Sequence, residues 1–227
     1  MDAHSLTWHG HRFDLLAQRG VYWVAQRSLI VADVHFGKAD HFRQAGVPVP
    51  WGTAEANLRR LNAMLDATAA DRLIVLGDLF HARTGLSDAL LDCLTQWRRQ
   101  RRGLGIVVVP GNHDAHLHDA VPQLDLQWVA PVWREAGLTF RHDPPATDAD
   151  QPTLAGHVHP AVRLHAPGRP SLRLPCFCFG ETLALLPAFG AFTGMHPIRP
   201  RRGDRVVAVH PEGAELIDLT PHQGSAT

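Results

Sequence analysis

Metal-ligand side chains follow short apolar runs at five places in this 227-residue sequence. The segments LIVADVH, LIVLGD, VVVPGNHD, LTFRHDP and TLAGHVH each carry aspartate, asparagine or histidine directly after the run. In chain order these residues are Asp33 and His35, Asp78, Asn112 and His113, His142, and His157 and His159. One such segment would be weak support for a site, but five in succession indicate side chains that act together, because chance would also scatter histidines over helices and loops.

The chemistry of this set is that of divalent metal ions. Carboxylate, imidazole and amide ligands suit borderline ions such as Mn²⁺, Fe²⁺ or Zn²⁺. No cysteine belongs to the set, which disfavours a structural zinc site. About seven ligands exceed what one tetrahedral ion needs, so two ions sharing a bridging carboxylate are predicted. Two-metal sites suit in-line displacement at phosphorus.

The stretch Gly105–Asp114 shows how a fold would position such side chains. Ile106–Val109 is an uncharged β-branched run, typical of a buried strand, and Pro110 and Gly111 end it. Residues placed there lie at the carboxyl end of a strand, where open α/β sheets gather their chemistry. Taken alone, the segment could equally be a polar turn. The pairs two residues apart, Asp33 with His35 and His157 with His159, would share a face if each strand continues.

The first half of the chain alternates strands with helices, as βαβ units do. Strands are predicted at Leu6–Trp8, Phe13–Leu16, Val21–Val24, Ser28–Ala32, Arg72–Leu76 and Ile106–Val109. Thr53 and Ser87 can cap helices that run to about Ala70 and over Asp88–Gln100. The segment between Asp33 and Gly52 is predicted to be a loop.

From Leu126 onward strand-like runs follow each other closely, which predicts a second, mostly antiparallel sheet. Its predicted strands are Leu126–Val129, Val132–Glu135, Leu138–Arg141, Thr153–Ala155, Leu172–Phe179, Thr182–Leu186, Val206–Val209 and Ala214–Leu219. Because candidate site residues come from both halves, we expect one α/β domain over residues 1–227, with residues 220–227 frayed.

The composition, 45% hydrophobic and 19% charged, is typical of a globular protein. Basic and acidic residues balance at 22 each, so any affinity for nucleic acid would have to come from local patches. Three cysteines form no disulfide framework and fit a reducing compartment. The sequence shows neither a secretory signal nor an apolar run of about 20 residues. We therefore expect a cytoplasmic protein without a membrane segment.

At these motifs the sequence resembles the calcineurin-like binuclear metallophosphoesterases. The order D-x-H, G-D, G-N-H-D, a lone H and G-H-x-H is the signature of that superfamily, and here it runs from Asp33 to His159. The resemblance implies a four-layer α/β sandwich in which two facing mixed β-sheets are flanked by helices. It also implies a metal-dependent phosphodiesterase in which a hydroxide bridging two metal ions attacks phosphorus.

The resemblance further implies a role for each motif residue. One ion would be held by Asp33, His35 and His159 and the other by Asn112, His142 and His157, with Asp78 as the bridge. His142 belongs to a motif of one residue, for which His116, His118 and His165 are alternatives. His113 would be the catalytic residue that approaches the leaving-group oxygen, and Asp114 would either orient His113 or cap the turn that follows.

The flanking segments are similar to a narrower group, the bacterial ligase-associated DNA-damage-response endonucleases. The matching segments are DVHFGKADHFRQAGVPVPWGT, GDLFHA, LPCF and LPAFGAFTG. That group is encoded near DNA ligase and helicase genes, and its members are regarded as manganese-dependent DNA endonucleases. The resemblance implies a Mn²⁺-dependent endonuclease that cuts DNA, above all single-stranded DNA, in DNA repair, in functional association with ligase and helicase.

Two other functions fit the same motifs. A phosphatase or phosphodiesterase acting on a nucleotide or another small phosphoester would use the same ligands, and a lidded pocket would favour it over DNA. A non-catalytic scaffold of the same fold would be expected to lack His113 or some of the ligands, whereas all of them are present.

Several residues near the motifs have both a functional and a structural interpretation. Lys38 and Arg43 could contact substrate phosphates or lie in a solvated loop. His81, three residues after Asp78, could contact substrate or support a ligand. Trp51 and Phe36 could stack on a base or cover a core edge.

Two arginine clusters carry the same ambiguity. The cluster at Arg98, Arg99, Arg101 and Arg102 ends a predicted helix, where cations offset the helix dipole. The cluster at Arg199, Arg201, Arg202 and Arg205 lies in a Pro/Gly-bounded loop and is the better candidate for phosphate contacts. Cys176 and Cys178 alternate with phenylalanines on a predicted strand and are expected to be buried.

Overall fold

The first sheet brings the carboxyl ends of three predicted motif strands to one edge. In this computed structural model, which describes residues 2–114, 117–147, 149–165, 170–210 and 215–220, the sheet has seven strands in chain order. They are β1 (Ala3–Trp8), β2 (His11–Leu16), β3 (Gly20–Trp23), β4 (Ser28–Ala32), β5 (Arg72–Leu76), β6 (Gly105–Val109) and β7 (Gln127–Trp128). The strands from β1 to β4 pair antiparallel, whereas β4, β5, β6 and β7 are parallel to one another.

The helices are α1 (Lys38–Gln44), α2 (Thr53–Thr68) and α3 (Asp88–Gln100). Of these, α2 and α3 cover the outer face of the first sheet. Val31 of β4, Leu61 of α2 and Leu94 of α3 belong to one buried cluster, because alternate strand residues point to this face. Ser87 accepts a hydrogen bond from the Leu90 N–H and caps α3 as predicted, whereas Gly52, not Thr53, precedes α2.

The second sheet faces the first and mixes parallel with antiparallel pairs. Its strands are β8 (Val132–Glu135), β9 (Leu138–Arg141), β10 (Thr153–Ala155), β11 (Pro160–Leu164), β12 (Leu172–Phe179), β13 (Leu183–Leu185), β14 (His196–Pro197), β15 (Arg205–Val209) and β16 (Leu216–Asp218). The order is β14-β11-β12-β13-β10-β9-β8, and β15 pairs with both β12 and β16. Within the described residues β10 is parallel to β9 and β13, and most of the other pairs are antiparallel.

The space between the sheets is filled by large apolar side chains. Trp23 of β3 packs on Phe140 of β9 with ring centroids 5.6 Å apart, and Phe177 of β12 is fully buried in the same cluster. At one side Arg72 of β5 donates two hydrogen bonds to Glu135 of β8, at 2.8 and 3.0 Å. The bidentate pair links the two sheets directly.

The α/β sandwich with two facing mixed sheets is confirmed. Within the described ranges, the helices that pack on a sheet, α2 and α3, lie on the first sheet, so helices flank one side only in this part of the chain. None of the described helices is long and apolar enough to cross a bilayer. The predicted tail at 220–227 lies outside the described residues apart from Thr220, as does Ala214 of the last predicted strand.

Three details of the predicted topology were wrong. The run at Leu126–Val129 contributes β7 to the first sheet, parallel to β6, rather than opening the second sheet. The predicted loop between Asp33 and Gly52 contains α1. β11 was missed because it follows directly on the G-H-x-H motif, whose polar residues obscure the short apolar run.

Gly77 permits the close approach of two motifs, which a matched pair of variants can test. Gly77 has φ +71°, and a Cβ there would lie 2.2 Å from Nδ1 of His142. Gly10 has φ +79° with nothing within 4 Å, so Gly10→Ala incurs only the left-handed backbone cost of about 1 kcal/mol. In a protein of this size that cost lowers the melting temperature by about 2–4 °C.

We expect Gly77→Ala to lower the melting temperature more than Gly10→Ala does, and also to reduce the metal that the purified protein retains. Thermal unfolding and elemental analysis of both variants measure these effects. Equal melting temperatures and equal metal contents would contradict the packing that the structure shows at His142.

Candidate metal centre

The predicted ligands stand on tight turns that begin where strands end. β4 ends at Ala32 and β10 at Ala155, so the strands do not continue through the D-x-H and G-H-x-H motifs. The condition under which each pair would share a strand face is therefore not met. Instead, five candidate ligands have left-handed backbone with φ from 50° to 66°, namely Asp33, His35, Asp78, His157 and His159. Such conformations cost of order 1–3 kcal/mol each and cluster at functional sites.

Hydrogen bonds join these turns to one another. The His35 N–H donates to the Asp78 carbonyl at 2.8 Å, which ties the turn after β4 to the turn after β5. The Asp33 carboxylate accepts from the His157 N–H at 3.0 Å, and the Asp78 carboxylate accepts from the His113 N–H at 2.9 Å. Each carboxylate is thus oriented by the backbone of a different motif.

Seven predicted metal ligands converge on one cluster. Ligand atoms of Asp33, His35 and His159 lie within 4.8 Å of one another, and so do those of Asp33, Asp78 and His142. His142 Nε2 is 3.1 Å from Asn112 Oδ1 and 3.1 Å from His157 Nδ1, which brings the remaining two residues to the same place. These two overlapping ligand groups share Asp33 and have the form of a dimetal centre.

Among the histidines considered for the lone-H motif that the structure describes, His142 is the one that lies in this cluster. Its Nε2 is 3.4 Å from Asp78 Oδ2, and its Nδ1 is hydrogen-bonded to the Leu76 carbonyl at 3.1 Å. His118 is exposed and pairs with Asp119, and His165 is exposed on the surface. The third rival, His116, lies outside the described residues.

The chemistry of the cluster fits bound cations. The carboxylates of Asp33 and Asp78 are buried at 0% and 3% exposure, and both ring nitrogens of His35 are buried without a hydrogen-bond partner among the described residues. Burial lowers the pKa of His35 to about 3, so its imidazole is neutral, the form that binds metal. Burial also lowers the pKa of His142, but hydrogen bonding and charge from Asp78 outweigh that and raise it to about 9. The two carboxylates therefore attract positive charge to this position.

His113 is held in a defined orientation beside the cluster. Its Nδ1 donates to the His81 carbonyl at 2.6 Å, so Nε2 is the nitrogen left for a substrate. The His81 ring stacks on the His113 ring with centroids 4.8 Å apart. Burial, with the nearby Lys38 charge, lowers the pKa of His81 to about 4, which makes its ring neutral.

Lys38 and Arg43, the two predicted phosphate contacts, differ in position. Lys38 lines one cavity with His35. Burial lowers the pKa of Lys38, and the charges of Asp78 and Asp33 act in the opposite direction. Arg43 instead pairs with Asp40, donates to the Pro50 carbonyl at 3.0 Å and lies 4.1 Å above the Trp51 ring. The Arg43 contacts described here are therefore within its own segment.

Asp114 connects two motifs from behind the site. Its carboxylate accepts hydrogen bonds from the N–H groups of Gly111, Leu79 and Phe80, at 3.0 to 3.3 Å. Burial raises its pKa to about 6. Among the described contacts it bonds to backbone rather than to the His113 ring, so it holds the G-N-H-D turn against the G-D turn.

The first arginine cluster belongs to the fold. Arg98 is buried and donates to the Leu124 carbonyl, and Arg101 pairs with Asp66 at 2.7 Å. The second cluster, from Arg199 to Arg205, lines a separate open cavity of about 790 Å³ with Trp8 and Glu181. That cavity adjoins Gly180, whose N–H donates to the Leu183 carbonyl at the start of β13. Because β13 runs parallel to β10, the start of β13 lies beside the start of β10 and away from its metal-ligand end.

The remaining candidates resolve as follows. Phe36 is 5% exposed and its backbone pairs with that of Phe80 in an isolated β-bridge, so it belongs to the core. Trp51 is 83% exposed. Cys176 and Cys178 are buried, and burial raises the pKa of each thiol to about 12. Both are therefore inert small apolar residues, as expected.

Sequence reasoning missed two residues that the structure adds to the neighbourhood. His41 lies on α1, with its ring centroid 5.2 Å from that of His81 and its Nδ1 3.0 Å from Thr84 Oγ1. Recognition of α1 would have found it, because His41 stands three residues after Lys38 and thus on the same helix face. Asp143 lies 3.2 Å from His157 Nδ1, and its position next to His142 was the available signal.

Comparisons with known proteins identify a family and similar solved structures. Residues 27–171 match the calcineurin-like phosphoesterase family. No curated protein matches the chain. A solved structure of the Pseudomonas putida nuclease MPE is 38% identical with a TM-score of 0.82, over 96% of this chain and 100% of that chain. The Escherichia coli phosphoesterase Yfce is 14% identical with a TM-score of 0.41, over 81% of this chain and 88% of that chain.

The family match spans more than half of the 227 residues and contains every motif from Asp33 to His159. The relative at 38% identity extends the likeness over almost the whole chain. Two overlapping groups of aspartate and histidine ligands stand where the motifs meet. This chain belongs to the calcineurin-like phosphoesterase family, a family of hydrolases with a dimetal centre.

Proposed function

We propose that this protein is a metal-dependent endonuclease that cleaves single-stranded DNA during repair. The observation that carries the proposal is the cluster of two buried carboxylates, Asp33 and Asp78, surrounded by histidines at the meeting point of two sheets. The P. putida relative at 38% identity is a nuclease, which supports a nucleic-acid substrate. The resemblance of the flanking segments supports DNA, a cytoplasmic repair role, and association with ligase and helicase.

Two divalent ions fit the residues present. Asp33, His35 and His159 would hold one ion, Asn112, His142 and His157 the other, and Asp78 would lie between them. We propose Mn²⁺, while Fe²⁺ and Zn²⁺ share the same ligand preference. When bound, such ions would lower the pKa of water to about 7 and offset charge on phosphate oxygens.

His113 is the proposed general acid. The bond from its Nδ1 to the His81 carbonyl fixes the ring, and stacking on His81 limits its rotation. A proton on Nε2 can then pass to the departing oxygen of the cleaved phosphodiester. The His113 N–H also orients the Asp78 carboxylate, so the same residue links the acid to the proposed bridging ligand.

The preference for DNA over a small phosphoester rests on the similar P. putida protein, which is a nuclease. Lys38, which directly follows the D-x-H motif and lines one cavity with His35, would supply a positive charge to a substrate that carries phosphate.

The first test is cleavage of covalently closed single-stranded circular DNA. Protein stripped of metal and resupplied with Mn²⁺ is expected to linearise the circles, because an endonuclease needs no free end. Asp78→Ala is expected to abolish linearisation, and Asp92→Ala, which removes an exposed carboxylate from α3, is expected to retain it. Gel electrophoresis separates circular from linear products.

Two results would overturn the proposed substrate or the proposed activity. Intact circles together with hydrolysis of bis(p-nitrophenyl) phosphate would retain the phosphodiesterase and exclude DNA cleavage. Absence of both reactions in folded, Mn²⁺-loaded protein would favour the non-catalytic scaffold. Thermal unfolding of Asp78→Ala separates loss of chemistry from loss of fold.

The second test uses the leaving group to identify the role of His113. His113→Ala is expected to slow cleavage of DNA by about 10²–10⁴-fold, because a departing sugar alkoxide needs a proton. Hydrolysis of bis(p-nitrophenyl) phosphate should fall far less, since nitrophenolate leaves without protonation. Initial rates on both substrates measure the difference.

His118→Ala is the matched control, because His118 is exposed and pairs with Asp119 outside the ligand cluster. Its rates on both substrates are expected to equal those of the unmodified protein. An equal loss on both substrates in His113→Ala would mean that His113 does not act on the leaving group.

A further inference from the structure

A short turn after β13 is anchored directly to the candidate ligands. The turn spans 190–194; the Gly190 N–H donates to the Asp33 carbonyl at 3.0 Å, and the Gly194 carbonyl lies 3.2 Å from His159 Nδ1. The Thr193 hydroxyl donates to the Gly190 carbonyl at 3.1 Å and closes the turn. The 190–194 turn is therefore fixed at both ends to residues of one ligand group.

The segment before the turn is held from the opposite side by two partly buried arginines. Arg60 donates to the Phe189 carbonyl and stacks on the Phe189 ring with its guanidinium 4.3 Å from the centroid. Arg19 donates to the Ala188 carbonyl at 3.3 Å. Burial lowers the pKa of both arginines. Phe189 itself is fully buried, so the turn projects from a rigid base.

Phe192, at the tip of this turn, combines a left-handed backbone with an exposed aromatic side chain. Its φ is +60°, a left-handed conformation that is unusual for a bulky residue. Its side chain is 48% exposed, unlike that of Phe189 three residues earlier. Backbone strain at a residue bonded into a ligand cluster is a reason to look for a function, and an exposed aromatic ring is suited to stacking on a base.

We propose that Phe192 stacks on a nucleobase of the DNA strand whose phosphate lies at the metal centre. The inference rests on the proposed nuclease function and deepens it by assigning a base contact. Asp33 and His159 would hold a metal ion, and a phosphate bound to that ion would carry its nearest bases one sugar away, within reach of the turn that is bonded to both residues. Aromatic rings bind bases of unpaired strands by stacking, whatever the base identity.

This contact selects single-stranded DNA for a physical reason. In a duplex both faces of each base are covered by neighbouring pairs, so Phe192 has no face to contact. A nucleotide of a single strand can unstack and place its base on the ring. The metal centre contacts only phosphate and does not distinguish the two forms, so the 190–194 turn supplies the preference.

The test compares substrates that differ only in their bases. One is a fluorescent dT oligomer, the second an oligomer of equal length made of abasic residues, and the third bis(p-nitrophenyl) phosphate. Phe192→Ala is expected to lower kcat/KM on the dT oligomer about 10-fold, mainly through KM, which corresponds to loss of one stacking contact. Rates on the abasic oligomer and on bis(p-nitrophenyl) phosphate should stay unchanged.

Three further variants separate stacking from structural effects. Phe192→Trp is expected to restore cleavage of the dT oligomer, and Phe192→Leu, which is apolar without a π face, is expected to behave like Phe192→Ala. Phe192→Gly should raise the melting temperature while it weakens cleavage of dT, because glycine accepts φ +60° without strain. Leu172→Ala is the control, since Leu172 is exposed to the same degree, 49%, at the start of β12.

Each outcome has a distinct meaning. If the unmodified protein cleaves the dT oligomer and Phe192→Ala cleaves it equally well, the base contact is wrong and the nuclease proposal stands. If Phe192→Ala weakens cleavage of the dT and abasic oligomers equally, stacking is again wrong. If the unmodified protein hydrolyses only bis(p-nitrophenyl) phosphate, the nuclease proposal fails and the base contact fails with it.

Discussion

Two carboxylates buried side by side are the constraint on which the rest of this structure depends. Asp33 and Asp78 follow adjacent parallel strands, and both are almost inaccessible to water. Burying a charge costs several kcal/mol per ion unless hydrogen bonds and opposite charges compensate for it. Backbone N–H groups of His157 and His113 supply part of that compensation. The remainder has to come from cations, so the fold and the metal centre are parts of one electrostatic balance.

Glycines allow the backbone to pass close to both carboxylates. A Cβ on Gly111 would lie 2.3 Å from Asp78 Oδ1, and one on Gly156 would lie 2.8 Å from Asp33 Oδ2. Only glycine lets these segments approach closely enough. The left-handed ligand positions add strain, which the apolar contacts between the sheets and the Arg72–Glu135 pair offset. A rigid double sheet thus supports a locally unfavourable site.

The sequence predicts the parts of this structure that depend on local pattern. Apolar runs followed by polar residues locate the ends of β4, β5, β6, β9 and β10, because buried strands need such runs and metals need such side chains. The pattern cannot show how the ligands converge, since left-handed turns at residues such as Asp33 have no signature in residue type. It also fails for β7, whose sheet is decided by a distant partner strand, and for Asp114, whose carboxylate bonds to backbone N–H groups.

The chain carries no net charge, and this shapes how it would bind a polyanion. A strongly basic protein gains affinity from many phosphate contacts and loses it steeply with salt. Here Lys38 is the positive side chain next to the ligand cluster, and the Arg199–Arg205 cluster lines a separate cavity, so few counterions would be released at the metal centre itself. Affinity then has to come in larger part from contacts that salt does not screen. The proposed stacking on Phe192 would be such a contact, and hydrogen bonds from its turn to Asp33 and His159 place Phe192 beside the candidate ligands.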